Sequence, residues 1–303
     1  MVPAVRPPND RLLIALAFAS VYLIWGTIFA VTKLMVLSAP PFLAGSLRFF
    51  LAGLILVGAS FLSGRSLPNT FIEWRHAGAI SLLQVVGSAG LNIIAMQHIA
   101  SNQSALLNSS GALWIPLIAA IGPRGESISS RVAAGLGVGF VGVALLLWPR
   151  QGYTLDHAAW QFASIGAAFS WGLGTIYYRR SQSATPMPMQ LGLGMLMGAV
   201  LLGATGLSLG ELPRLHASVA GIGAIVFLAL FNSCIAYTAY AYLMRRTSPA
   251  KLSTYAYVNP LIAVVTGWLA FDERLSSTQL SGMAVILVSV ALVTIPAGGL
   301  RRR

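Results

Sequence analysis

The sequence predicts an all-α membrane protein of ten transmembrane helices in two inverted five-helix repeats. Three observations predict it. The 303 residues are 56% hydrophobic and only 9% charged, with a mean hydropathy of +0.78, a balance that leaves a water-soluble domain without a polar surface. Ten apolar stretches approach the ~20 residues needed to span ~30 Å of hydrocarbon. Finally, three local patterns recur in the second half of the chain, in the same order and at a near-constant offset.

The predicted spans are 12–33, 42–62, 76–97, 103–122, 131–149, 158–178, 188–209, 217–243, 250–270 and 276–296, with loops too short for a soluble domain. Arg6 and Arg11 before the first span give it the look of a signal peptide. Its apolar run is longer than the 7–15 residues of such a segment, so it is read as an uncleaved span. It carries Trp25-Gly26, and Lys33 follows eight residues after the tryptophan. The second span opens at Pro41 and holds Arg48, the one basic residue well inside a span. At 1.5 Å per residue Arg48 lies about 9 Å below the outer end. The third span carries Ser81, Gln84, Ser88 and Asn92 at helical spacing, and the fourth carries Ser101, Ser104 and Asn108. One turn later the fourth span reaches ALWIPLIA, residues 112–119, where Pro116 removes a backbone N–H and frees the carbonyl of Ala112.

The fifth span contains GVGFVG, residues 137–142, which fits a dinucleotide-binding pattern only after a strand. Inside a spanning helix, Gly135 and Gly139 instead form a G-x-x-x-G packing face. The sixth span repeats Trp171-Gly172, with Arg179 eight residues after the tryptophan, and the seventh ends in GLSLG, residues 206–210. That last motif lacks the strand-to-helix turn a nucleophilic serine needs. The eighth span offers Asn232 and Tyr240, together with the single cysteine, Cys234. The ninth brings Tyr255, Tyr257 and Asn259 beside Pro260 in AYVNPLIA, residues 256–263. Pro116 and Pro260 are expected to break their helices and so to supply backbone polar groups to a central site.

The offsets are 146 for the Trp-Gly pairs, 144 for the prolines, and 147 between Gly135 with VGVAL and Gly282 with VSVAL. They divide the chain into repeats 1–150 and 151–303, and five spans per repeat send the second copy through the membrane in the opposite sense. With the N-terminus inside, fourteen basic residues fall in inner segments and four in outer ones. This asymmetry places both termini in the cytoplasm of a multi-pass inner-membrane protein. The net charge of +12 is spread over these loops, so nucleic acid is not an expected partner; the lipid bilayer and a small-molecule substrate are.

Trp25-Gly26, Pro41 through Arg48, Pro116, Pro260, Asp272-Glu273 and the Gly-rich fifth and tenth spans together resemble the drug/metabolite transporter superfamily, in particular its ten-helix EamA-type members. Length and aromatic content are similar to the YddG-type amino-acid exporters. One departure is Gly125-Glu126, which follows its proline sooner than Glu273 does. The resemblance implies export of small metabolites, amino acids foremost and aromatic ones included, by alternating access, without a cofactor and by a monomer.

Polar side chains inside spans either line a cavity or hydrogen-bond one helix to another. Gln84, Ser88, Asn92, Asn108, Asn232, Tyr240, Tyr255, Tyr257 and Asn259 are the candidates, and for each alone both readings stand. Their convergence on repeat-related spans points to one cavity bounded by spans one, three, four, six, eight and nine. Four tryptophans (Trp74, Trp148, Trp160 and Trp268) fall near span ends as interfacial anchors. Trp25, Trp114 and Trp171 lie deeper, able to cover an apolar ligand or simply to pack. Arg48 either snorkels to the interface or serves as counter-charge for a substrate carboxylate. No Cys or His cluster offers a metal site and no catalytic constellation is present. Multidrug cation efflux would call for an embedded carboxylate. None of the seven acids falls at the midplane, so facilitative transport is expected. A non-transporting scaffold would need no polar stripes.

Overall fold

The computed structural model describes residues 8–122, 125, 127–147, 155–181, 183–215, 218–247 and 255–294. Glu126, Trp148 and Lys251 lie outside the described residues, and the side chain of Tyr257 is likewise outside them. Among the described residues the helices group into ten segments. These are α1 (Pro8–Ser38), α2 (Pro41–Leu62), α3 (Phe71–Ala95), α4 (Ser101–Asn108 continued by Gly111–Ala119) and α5 (Ser130–Leu147). The second half holds α6 (Leu155–Arg180), α7 (Met187–Ser208), α8 (Val219–Phe227 running on to Arg246), α9 (Tyr255–Phe271) and α10 (Ser277–Thr294). α1, α2, α3, α7 and α8 are each long and apolar enough to cross a membrane, while α5, α9 and α10 contain shorter apolar helices. α4 and α6 owe their lower apolarity to the serines, asparagines and glutamines by which they meet other helices rather than lipid.

Short connections make successive helices antiparallel. We call the face where α1 begins the near face and the other the far face. Long-range contacts obey this alternation: Ser218 at the start of α8 donates to Ser38 O at the end of α1, on the far face, and His76 of α3 bonds Tyr177 of α6 on the near face.

The packing is symmetric between the halves. α2 lies along α7 and α5 along α10; α1 meets α9 as α6 meets α4, and α1 meets α8 as α6 meets α3. Replacing each helix by the one five places later returns the same set of pairs, as two repeats related by a two-fold axis in the membrane plane require. The Trp-Gly pairs explain one such contact. A Cβ on Gly26 would stand 2.6 Å from Ile262 of α9, and one on Gly172 would stand 3.2 Å from Ile118 of α4. The glycine lets the helices close while the adjoining tryptophan turns inward. Helices α2 and α7 also match: each carries proline in its first turn and is followed by a left-handed glycine, Gly64 at φ 73° and Gly210 at φ 67°. The G-x-x-x-G face of α5 packs on α10 as expected, with Ser289 Oγ donating to Gly135 O at 2.6 Å.

Two features depart from the sequence reading. Widened π-helical turns run through Ser81–Gly90 of α3 and Leu228–Ala236 of α8, at matching places in the two repeats. Nothing in residue pattern alone announces them, although such turns gather at functional sites. The prolines do not break their helices where expected. The interruption in α4 falls at Ser109 and Ser110, ahead of Pro116, where Ala112 N and Leu113 N turn to Ser109 O and Ser110 O at 3.1 and 2.8 Å. α9 runs unbroken through Pro260, which sits in its second turn and costs one intrahelical bond at the helix start.

Candidate functional site

A cavity of about 150 Å³ occupies the centre of the bundle. Trp25 of α1, Trp171 of α6, Ser88 and Asn92 of α3, and Asn108 of α4 line it, joined by Asn232 of α8 and by Tyr255, Asn259 and Pro260 of α9. Arg48 enters from α2, a helix the sequence reading left out of the boundary. Three candidates lie elsewhere and a fourth is not described. Gln84 and Tyr240 line a second, smaller cavity, Trp114 packs against Phe140 and Phe169, and Tyr257 falls outside the described side chains. Residues the sequence reading missed are Phe29 and Thr32, which continue the Trp25 face of α1, and Tyr237 of α8. Thr32, seven residues after Trp25, was within reach of periodicity; Tyr237 was masked by the many aromatic residues of α8.

The polar groups of the cavity divide into two kinds. On the α3, α4 and α6 side they are engaged with one another. Asn92 Nδ2 donates to Asn108 Oδ1 at 3.0 Å and Asn108 Nδ2 donates to Asn92 Oδ1 at 2.7 Å. Ser104 Oγ and Ser164 Oγ add donors to Asn92 Oδ1 at 3.2 and 3.3 Å, so three helices are tied by one knot. On the α2, α8 and α9 side the groups are unsaturated. Asn232 is fully buried, yet among the described residues neither its Nδ2 nor its Oδ1 has a partner, and Asn259 Oδ1 is likewise unpartnered. Arg48 is 2% exposed; its Nε lies 3.3 Å from Ser233 Oγ and its guanidinium lies over the Phe49 ring at 4.5 Å. Buried and lining the cavity, it does not snorkel to the interface, and among the described residues no carboxylate pairs with it. Unpaired polar groups in a buried site are costly, on the order of 1–3 kcal/mol each, and a membrane protein keeps them where they face a cavity.

An aromatic cluster closes the near-face side of the cavity. Trp25 stands within 4.8 to 5.8 Å, centroid to centroid, of Trp171, Tyr237, Tyr240 and Tyr255. Trp171 and Tyr237 line both the central and the smaller cavity, so these rings form the partition between the two. Edge-to-face pairs of this kind contribute about 0.5–1.5 kcal/mol each, enough to hold a closure and small enough to be rearranged.

The described carboxylates serve at the faces. Glu211, between α7 and α8, accepts from Phe42 N and Leu43 N at 3.3 and 2.9 Å and so caps α2. Glu73, at the start of α3, holds the turn just ahead of α7, accepting from Ala184 N, Thr185 N and the Ser183 hydroxyl. The two contacts mirror each other across the repeats, each placing negative charge close to a helix N-terminus. Glu273, after α9, accepts from Ser101 N and Asn102 N of α4 at 2.7 and 2.9 Å, while Lys33 donates to Met96 O and Ile99 O at 2.6 and 3.0 Å. These contacts pin the far ends of α1 and α9 to the α3–α4 corner.

A bundle of two inverted repeats around a central, partly polar cavity is the architecture of a membrane transporter. The sequence profile of the EamA-like transporter family matches the chain twice, over residues 12–148 and 158–295, and the chain belongs to that family. It is 31% identical over 281 residues to the uncharacterized inner membrane transporter YedA of Escherichia coli K12, covering 92% of this chain and 90% of that one. It is 28% identical to a WAT1-related chloroplastic protein of Arabidopsis thaliana, over 92% of this chain and 69% of that protein. The uncharacterized transporter YvbV of Bacillus subtilis is 24% identical over 94% of this chain and 92% of its own length. A solved crystal structure shares the fold at a TM-score of 0.70 and 23% identity, over 95% of this chain and 99% of that one.

Proposed function

We propose that this transporter exports amino acids, aromatic ones included, across the inner membrane by alternating access through the central cavity. Both termini face the cytoplasm in this reading, as the fourteen-to-four distribution of basic residues indicates. The observation that carries it is the cavity's two-sided character: rings of Trp25, Trp171 and Tyr255 on one wall and unpartnered polar groups on the other, suited to a small molecule with an apolar body and a polar head. The cavity lies within one chain, so a monomer suffices. Rocking of one repeat against the other would move the aromatic partition aside and open the opposite face. Among the described residues no carboxylate lines the cavity, which favours a facilitative cycle and weighs against cation efflux. Uptake of a labelled amino-acid panel into liposomes carrying the purified protein tests the reading. Saturable uptake of at least one apolar amino acid supports it, and a panel no faster than in protein-free liposomes rejects it.

A further inference from the structure

Three of the cavity's polar residues have no counterpart in the other repeat. At the 146-residue offset of the Trp-Gly pairs Arg48 corresponds to Gly194, at the 147-residue offset between the starts of the π-helical turns, Ser81 and Leu228, Asn232 corresponds to Val85, and at the 144-residue offset of the prolines Asn259 corresponds to Ile115. Gly194 shows why the arginine exists once: a Cβ there would already stand 2.9 Å from Ile80 Cγ2 and 3.1 Å from Ala77 O. The duplicated scaffold is symmetric, whereas these three groups are not. The scaffold's own polar knot, at Asn92, Asn108, Ser104 and Ser164, is internally satisfied; among the described residues Asn232 and Asn259 Oδ1 have no partner, and Arg48 is held at Nε by Ser233 Oγ.

We infer that Arg48, Asn232 and Asn259 are the specificity-determining residues of the cavity, Arg48 taking the substrate's carboxylate and the amide oxygens of Asn232 and Asn259 taking its ammonium group. The inference rests on the proposed transport of amino acids and assigns the atoms that read them. Among the described residues the only formal charge lining the cavity is positive. A guanidinium held at one nitrogen by a serine hydroxyl and over a ring keeps its outer N–H groups for a planar anion. An ammonium needs acceptors that do not themselves compete for Arg48. Neutral amide oxygens meet that need, where a carboxylate would pair with Arg48 and cancel the anion site. A net cation without a carboxylate meets only the unfavourable half of this arrangement. The adjoining rings of Trp25 and Tyr255 then cover the apolar side chain.

The test measures binding rather than transport, by ligand-induced shifts in thermal unfolding of the purified protein. Three probes share one ring: L-phenylalanine, 3-phenylpropionate, which lacks the ammonium, and phenethylamine, which lacks the carboxylate. The wild type is expected to bind 3-phenylpropionate about ten- to a hundred-fold more tightly than phenethylamine, the loss associated with one charged hydrogen-bonded contact. In Arg48→Gln and Arg48→Met this ratio should fall to near one. In Asn259→Leu, phenylalanine affinity should fall toward that of 3-phenylpropionate, whose own affinity stays unchanged. That comparison stands even where the Arg48 variants do not fold. A wild type that binds none of the probes, or prefers phenethylamine, overturns the assignment, as does an acid-over-amine preference surviving in Arg48→Gln. Failure of the amino-acid reading is distinguishable: 3-phenylpropionate would then be favoured over phenethylamine while phenylalanine is neither bound nor transported.

Discussion

The Asn92–Asn108 pair offers the sharpest quantitative test, because these residues line the cavity while spending their amides on each other. Replacing Asn92 by leucine removes four hydrogen bonds: two reciprocal ones with Asn108 and one each from Ser104 and Ser164. Interhelical hydrogen bonds in membranes average about 0.6 kcal/mol, so the four together are worth about 2.4 kcal/mol. Asn108 Oδ1 also loses the donor it has in the native protein, which moves the expected cost upward rather than down. The reciprocal pair contains two of the four bonds, so a double-mutant cycle of Asn92→Leu and Asn108→Leu should return a coupling of about 1.2 kcal/mol. Unfolding of the purified protein in mixed micelles with increasing SDS, followed by circular dichroism, measures each variant. Phenylalanine affinity per folded molecule should change less than about threefold, since neither amide is free to bind substrate. Unchanged stability with lost binding would refute the division of the cavity into structural and recognition groups.

Adding a methyl group at Gly26 should cost more than at Gly172, because the new Cβ would stand 2.6 Å from Ile262 but 3.2 Å from Ile118; we expect a loss of about 1–3 kcal/mol for Gly26→Ala and less for Gly172→Ala, read from unfolding midpoints. Cysteines introduced at Ser127 and Ser276 should differ in labelling by an impermeant thiol reagent on intact cells, since the loops after α4 and α9 lie on opposite faces; equal labelling would contradict the inverted repeats. A pH step imposed across proteoliposomes holding equal substrate on both sides should produce no accumulation of a substrate whose charge is constant over the step. The described carboxylates Glu73, Glu211 and Glu273 bind backbone N–H groups at the faces, and protonophore-sensitive accumulation would show a coupling site elsewhere.

The sequence made the architecture readable because its causes are local and repeated. Apolar length gives the spans, an odd span count inverts the second repeat, and Trp25-Gly26 with Trp171-Gly172 marks equivalent helix contacts that the structure bears out in Gly26 against Ile262 and Gly172 against Ile118. The candidate site was legible as a set of residues but not as a set of roles. Asn92 and Asn232 look alike along their helices, yet one is saturated by partners 12 to 72 positions away and the other by none among the described residues. Only tertiary placement separates them. Arg48 read as well as a snorkelling side chain as a binding group, because its Ser233 contact spans 185 positions. The proline argument placed the break in α4 too late, since Ser109 and Ser110 loosen the helix before Pro116 does. The π-helical turns of α3 and α8 have no residue signature of their own.

The central claim is that substrate passes through the cavity between the repeats. Ala112 lines that cavity, whereas Ser208 lies exposed at the far-face end of α7. In a Cys234→Ala background, the Ala112→Cys and Ser208→Cys variants can be reconstituted and treated with a small methanethiosulfonate reagent before labelled phenylalanine uptake is measured. The account predicts that the adduct abolishes uptake in Ala112→Cys, that saturating phenylalanine slows its formation, and that Ser208→Cys keeps full uptake when modified. Full uptake by completely modified Ala112→Cys would contradict it.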